Sequence, residues 1–155
     1  MKLRKAKIKD VKDIQNVINT FAATGEMLPR ALNELYENLR DFFVVEDKGK
    51  IVACGALHVN WEDLAEVKGF AVAKSHHRKG LGSILLKACL KEAKELGLKR
   101  VFALTYKPGF FKKYGFTEID KMELPHKIWN ECIKCPKFPD CDEICLVYSV
   151  NRSSR

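Results

Sequence analysis

The spacing of apolar residues changes repeatedly along the chain, and this change constrains the fold more than any other feature. Runs such as FFVVE and VFALTY are short and rich in β-branched and aromatic residues, as strands are. The run SILLKACLKEAKELG has apolar residues three and four positions apart, as amphipathic helices do. Along the whole chain the predicted order is β-α-α-β-β-β-α-β-α-β-β. This order predicts an α/β fold in which helices pack on a mixed central β-sheet.

Three helices can be read from apolar spacing and from their end signals. The first follows LRKAKI and Asp10, which we expect to be its N-cap, and the third ends at Gly97. FFVVE and IVACGALHV are separated by a glycine-containing turn, which predicts an antiparallel hairpin. The apolar stripes of the helices are Val11, Ile14, Val17, Ile18 and Phe21; Leu32, Leu35 and Leu39; and Leu85, Leu86, Cys89, Leu90 and Ala93.

The chain length of 155 residues fits one domain, which we expect to cover residues 1–150, with a tail at 151–155. No apolar stretch reaches the ~20 residues that cross a bilayer, and MKLRKAKIKD lacks the apolar core of a secretion signal. The sequence therefore predicts no membrane association and a cytoplasmic location.

Basic residues exceed acidic ones by 28 to 20, giving a net charge of +8 that favours anionic small molecules. The excess is spread along the chain without a dense basic run, so we expect no nucleic-acid partner. Aromatic residues cluster between positions 106 and 116, where we expect them to cover the sheet rather than to stack on bases. The oligomeric state stays open, with a homodimer among the alternatives.

Six cysteines are unevenly distributed. Cys54 and Cys89 stand alone in apolar segments and have the pattern of buried small hydrophobic residues. Four others form C-x2-C-x5-C-x3-C, a spacing compatible with a metal site, free thiols or a disulfide formed on oxidation. They are Cys132, Cys135, Cys141 and Cys145, and no metal ligand is assigned from them.

The segment between GFAVA and the third helix contains the strongest functional signal. Gly80 and Gly82 allow close approach of a ligand to the backbone, and the first amides of the following helix point at that ligand. Helix dipole and amide donors favour an anion, with His77, Arg78 and Lys79 adding positive charge. Two glycines are also compatible with a tight turn alone. Neither a Walker loop nor G-x-G-x-x-G is present.

The window His77–Gly82, between a strand and a helix, resembles the [Q/R]-x-x-G-x-[G/A] signature of the GNAT superfamily of N-acetyltransferases, with His in place of Gln or Arg. LTYKPGFFKKYGFTEI also resembles the family's strand, helix and G-F pattern. The resemblance implies the GNAT fold for about residues 2–150, with acetyl-CoA as co-substrate. The cofactor-binding residues that it implies are Phe70, Ala71, Val72, His77, Arg78, Lys79, Gly80, Leu81, Gly82 and Ser83.

Three separated segments are similar to the acetyltransferase domain of bacterial N-acetylglutamate synthases: LPRALNELYENLRDFFVVEDKGKIVACGAL, AEVKGFAVAKSHHRKGLG and LTYKPGFFKKYGFTEIDKMELPHKIW. This resemblance implies acetylation of the α-amino group of glutamate, the entry to arginine biosynthesis. Longer members also carry an amino-acid-kinase-like domain associated with arginine binding, for which 155 residues leave no room. Feedback by arginine is therefore not implied.

An α-ammonium group must lose a proton before it attacks a thioester, so a base is required. Glu66, at the start of the strand where many family members keep a carboxylate, is the predicted base; a solvent-exposed strand residue is the alternative. A backbone amide near Phe70–Val72 would face the developing oxyanion, as in the family. Many family members have, at the position of Phe111, a tyrosine that donates a proton to the departing thiolate. Phe111 cannot do so, and Tyr106 and Tyr114 are the remaining candidates for an acid.

Two carboxylates on glutamate require cations on ordered elements. Arg30 and Lys107 lie in segments that resemble substrate-contacting parts of the synthases, and surface ion pairs are the alternative for both. Lys107 stands about where longer members have Arg, and a lysine is a weaker, nonplanar replacement. If Lys107 binds the substrate, glutamine or another amino acid would also be permitted. Two functions compete with this one. The first is acetylation of another amine acceptor. The second is a non-catalytic acyl-CoA sensor or a metal-linked binding module centred on the cysteine cluster.

Overall fold

The computed structural model describes residues 1–22, 30–123 and 143–150, and within them the strands and α-helices follow the predicted order. The strands are β1 (Lys2–Lys5), β2 (Phe42–Asp47), β3 (Lys50–Trp61), β4 (Leu64–Val72), β5 (Arg100–Thr105), β6 (Thr117–Ile119) and β7 (Ile144–Ser149). The α-helices are α1 (Val11–Ala22), α2 (Leu32–Glu37), α3 (Leu81–Leu96) and α4 (Pro108–Lys112). Short 3-10 turns cover Ile8–Asp10, Leu39–Asp41, Lys74–His76 and Lys121–Glu123. The predicted tail at 151–155 lies outside the described residues.

The strands form one mixed sheet in the order β1-β2-β3-β4-β5-β7-β6. All neighbouring strands are antiparallel except β4 and β5, which are parallel. Parallel neighbours need a crossover connection, and α3 supplies it. The sheet confirms the predicted α/β class.

The two faces of the sheet are covered by different helices. Helix α1 buries Val11, Ile14 and Ile18 against Val44 and Ala56 on one face. On the other face, α3 packs against the sheet through Leu86, Cys89 and Ala93. Both stripes follow the predicted helical spacing, while the side chain of Phe21 lies outside the described residues. No helix within the described residues 1–22, 30–123 and 143–150 is long and apolar enough to span a membrane.

Cys54 and Cys89 are fully buried, which confirms their expected role as small hydrophobic residues. Burial raises the pKa of both thiols to about 12, so neither is a nucleophile at neutral pH. Cys145 is also buried, within β7, where it pairs with Leu104 of β5. Cys132, Cys135 and Cys141 lie outside the described residues.

A buried carboxylate ties β1 to the start of α1. Asp10 is not the N-cap predicted from the sequence, because the helical segment already begins at Ile8 in a 3-10 turn. Its carboxylate instead accepts hydrogen bonds from the Arg4 guanidinium at 2.7 and 3.0 Å and from the Lys7 amide at 2.7 Å. Arg4 also contacts Glu46 of β2 at 2.7 Å. The Arg4 hydrogen bonds, foremost among the causes, lower the pKa of Asp10.

A β-bulge interrupts the pairing of β3 with β4. Lys68 pairs with Ala56 and Ala71 with Cys54, so Gly69 and Phe70 together face Gly55. Gly69 has a φ of +68°, which an L residue rarely adopts. A Cβ atom on Gly55 would lie 2.7 Å from the Phe70 ring, so the absence of a side chain at Gly55 makes room for that ring. The bulge thus re-aims β4 over its last residues.

We expect Asp10→Asn to lower the free energy of unfolding by about 2 kcal/mol at pH 7, because it replaces the charged partner of the Arg4 hydrogen bonds and leaves Arg4 paired with Glu46 only. The native pKa of Asp10 is depressed, so its contribution is present above pH ~4 and disappears as the pH falls further. Urea unfolding at pH 7 and at lower pH measures both effects.

The control is Glu118→Gln, which removes the exposed ion pair with Lys112. Such a pair contributes about 0 to 1 kcal/mol. Equal destabilisation by the two variants would contradict the importance assigned to the buried pair.

Candidate functional site

Strands β4 and β5 part after three residue pairs. The pairs are Leu64 with Arg100, Ala65 with Val101 and Glu66 with Phe102. Beyond them β4 continues to Val72, paired with β3 alone, while β5 continues to Thr105, paired with β7. Within residues 1–22, 30–123 and 143–150, no strand pairs with the second edge of β4 over residues 67–72, and the backbone groups of that edge border an opening in the sheet. Such an edge can pair with an extended ligand.

The loop after β4 is held by three side-chain contacts. His77 donates from Nε2 to the carbonyl oxygen of Val72 at 2.8 Å, which folds the exposed loop back onto the end of β4. His76 contacts Asp47 of β2 at 2.7 Å through Nε2 and Ser75 at 2.7 Å through Nδ1. The His76 hydrogen bond, foremost among the causes, lowers the pKa of Asp47. The loop is thus anchored to two strands.

The loop ends in a glycine at the N-terminus of α3. Gly80 has a φ of +73° and Arg78 a φ of +65°, so the backbone turns sharply before the helix. The first bond of the helix runs from the Ile84 amide to the Gly80 carbonyl at 3.2 Å. The three preceding amides have no acceptor within the helix.

These amides belong to Leu81, Gly82 and Ser83, and the positive end of a 16-residue helix dipole adds to them. A Cβ atom on Gly80 would meet nothing within 4 Å, so there is room beside the backbone for a ligand. Arg78 and Lys79 are both exposed and supply positive charge. The site therefore has the donors, the space and the charge that a pyrophosphate group requires.

Aromatic side chains line the side of α3 that faces α4. Phe111 is 7% exposed, and its ring lies 6.4 Å from that of Phe70 and 5.1 Å from that of Phe110. Phe110 also approaches Gly82, where a Cβ atom would lie 3.4 Å from its ring. The Tyr114 hydroxyl donates to the Ser83 hydroxyl in the first turn of α3. These rings pack between the sheet and α3, as the sequence predicts.

Glu66 lies in the last pair before the strands part and is only 8% exposed. This burial excludes the alternative of a solvent-exposed strand residue. Its antiparallel partner on β3 is His58 and its parallel partner on β5 is Phe102. Glu66 therefore occupies the last shared pair before the opening between the strands.

Arg30 lies just before α2 and shares a small cavity with Lys68 of β4. Arg30 donates from Nη1 to Glu34 at 2.7 Å, while Gln15 and Asn19 of α1 hold its backbone at 3.1 Å each. The guanidinium has five donors, and this ion pair uses Nη1 only. The cavity holds about 10 Å³, which is about the space of one water-sized group, such as a single carboxylate oxygen, and too little for a whole amino acid.

Lys68 is a candidate that the sequence reasoning missed. It follows Glu66 by two residues in the same strand, so both side chains project from the same face of the sheet. The alternation of side chains along the strand AEVKGFAV is enough to predict this shared face. The cavity shared with Arg30, in contrast, depends on the packing of α2.

Lys107 does not line the cavity that contains Arg30. It is exposed and immediately precedes Pro108, with its amide donating to Thr105 at 2.9 Å. The structure thus places Lys107 beyond the end of β5 and brings Arg30 together with Lys68 instead. Among residues 1–22, 30–123 and 143–150, no three His, Cys, Asp or Glu side chains form a cluster that could hold a metal ion.

A sequence model described as the acetyltransferase (GNAT) family matches residues 8–116. A protein from Chlorobaculum tepidum named uncharacterized N-acetyltransferase CT2212 is 38% identical over 145 residues, which cover 94% of each chain. An amino-acid acetyltransferase from Mycobacterium tuberculosis is 37% identical over 132 residues, 83% of this chain and 75% of that protein.

Longer proteins match over only part of their length. An amino-acid acetyltransferase from Shewanella oneidensis is 32% identical over 128 residues, which are 81% of this chain but 29% of that protein.

Two solved structures have the same fold. Rv2747 from Mycobacterium tuberculosis, crystallised with CoA, superposes with a TM-score of 0.82 at 31% identity, covering 96% of this chain and 99% of that one. N-acetylglutamate synthase from Neisseria gonorrhoeae, crystallised with coenzyme A and N-acetyl-glutamate, gives a TM-score of 0.87 at 24% identity, covering 96% and 35%. The chain therefore belongs to the GNAT acetyltransferase family, whose members use acetyl-CoA as co-substrate.

Proposed function

We propose that the protein transfers the acetyl group of acetyl-CoA to the α-amino group of L-glutamate and forms N-acetylglutamate. The observation that carries this proposal is the position of Glu66, a buried carboxylate where β4 and β5 part, on the same sheet face as Lys68. A base and cations for carboxylates thus lie on one surface. The amino-acid acetyltransferase from Mycobacterium tuberculosis supports an amino-acid acceptor.

The proposed cofactor site follows the loop and the free edge of β4. The amides of Leu81, Gly82 and Ser83 hold the pyrophosphate, beside His77, Arg78, Lys79 and Gly80. The backbone of Phe70, Ala71 and Val72 faces the extended arm of the cofactor along the unpaired edge. When bound there, acetyl-CoA supplies the acetyl thioester.

Glu66 acts as the general base in this proposal. It removes a proton from the α-ammonium group of the acceptor, directly or through one water molecule, and so creates the neutral amine that attacks. A β4 amide near Phe70–Val72 donates to the acetyl carbonyl oxygen as negative charge develops on it. No acid is required at neutral pH for the departing thiolate, whose pKa resembles the cysteine value of ~8.5. Phe111 is consistent with this, since its ring cannot donate a proton.

Arg30 and Lys68 bind one carboxylate of the acceptor at the mouth of their shared cavity. Charge-assisted hydrogen bonds from a guanidinium and an ammonium stabilise a carboxylate more than neutral donors do. Lys107, beyond the end of β5, stays a proposed contact of the other carboxylate. The net charge of +8 also favours a dianionic acceptor over polyamines or basic peptides. We also propose that the protein acts in the cytoplasm and assembles as a homodimer.

We expect Gly80→Ala to weaken coenzyme A binding by about tenfold or more, because the added Cβ enters the space beside the proposed phosphate site. Titration calorimetry with coenzyme A measures this effect.

The matched control is Gly97→Ala at the other end of α3. Gly97 also has a positive φ, of +83°, and a Cβ there would also meet nothing within 4 Å. Both variants should lose about 1 to 2 kcal/mol of stability, but only Gly80→Ala should lose affinity. Equal coenzyme A binding by both variants would remove the proposed phosphate site.

We expect Glu66→Gln to lower kcat at least about a hundredfold, because the isosteric amide cannot accept the proton. Acetyl-CoA binding should change less than about twofold, which calorimetry can check. Turnover is followed by mass spectrometry of the products from glutamate, glutamine, aspartate, ornithine and spermidine.

N-acetylglutamate as the main product supports the proposal. A different preferred amine would retain the family activity and reject the glutamate assignment. No product from any amine, with intact acetyl-CoA binding, would favour an acyl-CoA sensor.

We expect Lys68→Met to raise KM for glutamate by about tenfold, the effect of losing one charge-assisted hydrogen bond. The KM for acetyl-CoA should stay the same, because the phosphate site lies at α3. Lys91→Met, an exposed lysine on α3, is the control and should change neither value. An unchanged KM in Lys68→Met together with a raised one in Lys107→Met would move the carboxylate site to the end of β5.

A further inference from the structure

We infer that His58, oriented by Asp41, carries the proton from Glu66 to solvent after each turnover. This inference rests on the proposed function, because it concerns the fate of the proton that Glu66 removes from the acceptor. Glu66 is only 8% exposed, so its carboxylate has little direct contact with bulk water. A buried base must nevertheless lose its proton before the next acceptor can react. A relay through a neighbouring titratable side chain meets that need.

His58 is the cross-strand neighbour of Glu66 in the β3–β4 pair. Residues paired in this way project from the same face of the sheet, and their Cβ atoms lie about 4.5 to 5.5 Å apart. At this spacing a carboxylate and an imidazole can reach each other, directly or through one water molecule. Histidine is the side chain whose ordinary pKa lies nearest neutrality, which suits it to accept and release a proton.

Asp41 orients the His58 ring. Its Oδ2 atom lies 2.7 Å from Nδ1 of His58, at the end of the turn that joins α2 to β2. With Nδ1–H donating to this carboxylate, Nε2 is the ring nitrogen that accepts a proton. Asp41 also stabilises the positive charge that the ring then carries. The pair is partly accessible, with side-chain exposures of 23% for His58 and 25% for Asp41.

A groove of about 420 Å³ gives the pair its contact with solvent. Asp41 and His58 both line it, and its other charged side chains are Glu37 and Arg40. Asp41 also borders the small cavity of Arg30, Glu34 and Lys68. The groove is wide enough to hold several water molecules, which can take up the proton. His58 thus belongs both to the strand pair with Glu66 and to the lining of the groove.

The proposed step moves one proton and no other group. An N–H bond of the acceptor ammonium breaks as an O–H bond forms on Glu66. The proton then passes to Nε2 of His58 and from there to water or buffer in the groove. Glu66 and His58 both return to their starting states, so no oxidant, reductant or further reactant is needed.

The test compares His58→Gln with wild type, using N-acetylglutamate formation measured by mass spectrometry. We expect kcat to fall about a hundredfold, the lower range for loss of a proton-transfer group. The KM values for glutamate and acetyl-CoA should change less than about threefold, because His58 is not proposed to bind either. Added imidazole should restore part of kcat in a concentration-dependent way, since it can occupy the groove and take the proton. A purely structural role for His58 would give no such rescue.

Two further variants make the test specific. Asp41→Asn should lower kcat in the same direction and shift the pH profile of kcat, because the amide no longer fixes the ring or its charge. The double variant Glu66→Gln/His58→Gln should be no slower than Glu66→Gln alone, since residues in one proton path are not additive.

Normal kcat in His58→Gln, or a reduced kcat that imidazole does not restore, would overturn the relay while leaving the acetyltransferase proposal intact. Additive losses in the double variant would also overturn it. No acetylation of any amine by the wild-type protein would instead remove the proposed function, and the relay with it.

Discussion

The parting of β4 and β5 after Glu66 is the constraint on which the rest of the site depends. Two parallel strands that stayed paired would satisfy their backbone groups and leave no edge for a ligand. Here β4 turns away over its last residues, with the bulge at Gly69 adding local twist, and β5 continues alongside β7. The opening is thus built into the sheet, and the helices only close its two faces. We propose that this opening brings the thioester of bound acetyl-CoA next to the carboxylate in the last shared pair.

The two ends of β4 lie near different charged and polar groups. At its C-terminal end, the loop is anchored through His76 and His77, which holds in place the α3 amides that we propose as the phosphate site. At the other end, the charged groups lie on the α1 and α2 face of the sheet and are paired with each other, as in Arg30 with Glu34 and Asp41 with His58. Paired charges keep their positions before the ligand arrives, which lowers the cost of ordering them on binding.

Much of this architecture could be predicted from the sequence because it depends on local patterns. Apolar spacing predicts the order of strands and helices, which the structure confirms. The glycines before α3 predict an anion site, which stays a prediction. Asp10 shows where local reasoning fails. It resembles an N-cap, but its partners Arg4 and Glu46 come from two strands, so a tertiary ion pair determines its role. Lys68 and His58 escaped the sequence analysis for a related reason. Their importance follows from strand register and from the packing of α2, and neither has a motif of its own.

A crystal structure of the protein with coenzyme A and N-acetylglutamate tests the account most directly. We expect the pyrophosphate on the amides of Leu81 to Ser83 and the cofactor thiol between β4 and β5. The amide nitrogen of the product should lie near Glu66, with one carboxylate on Arg30 and Lys68. A product bound on the α3 face of the sheet, or beyond hydrogen-bonding reach of Glu66 even through one water molecule, would contradict the account.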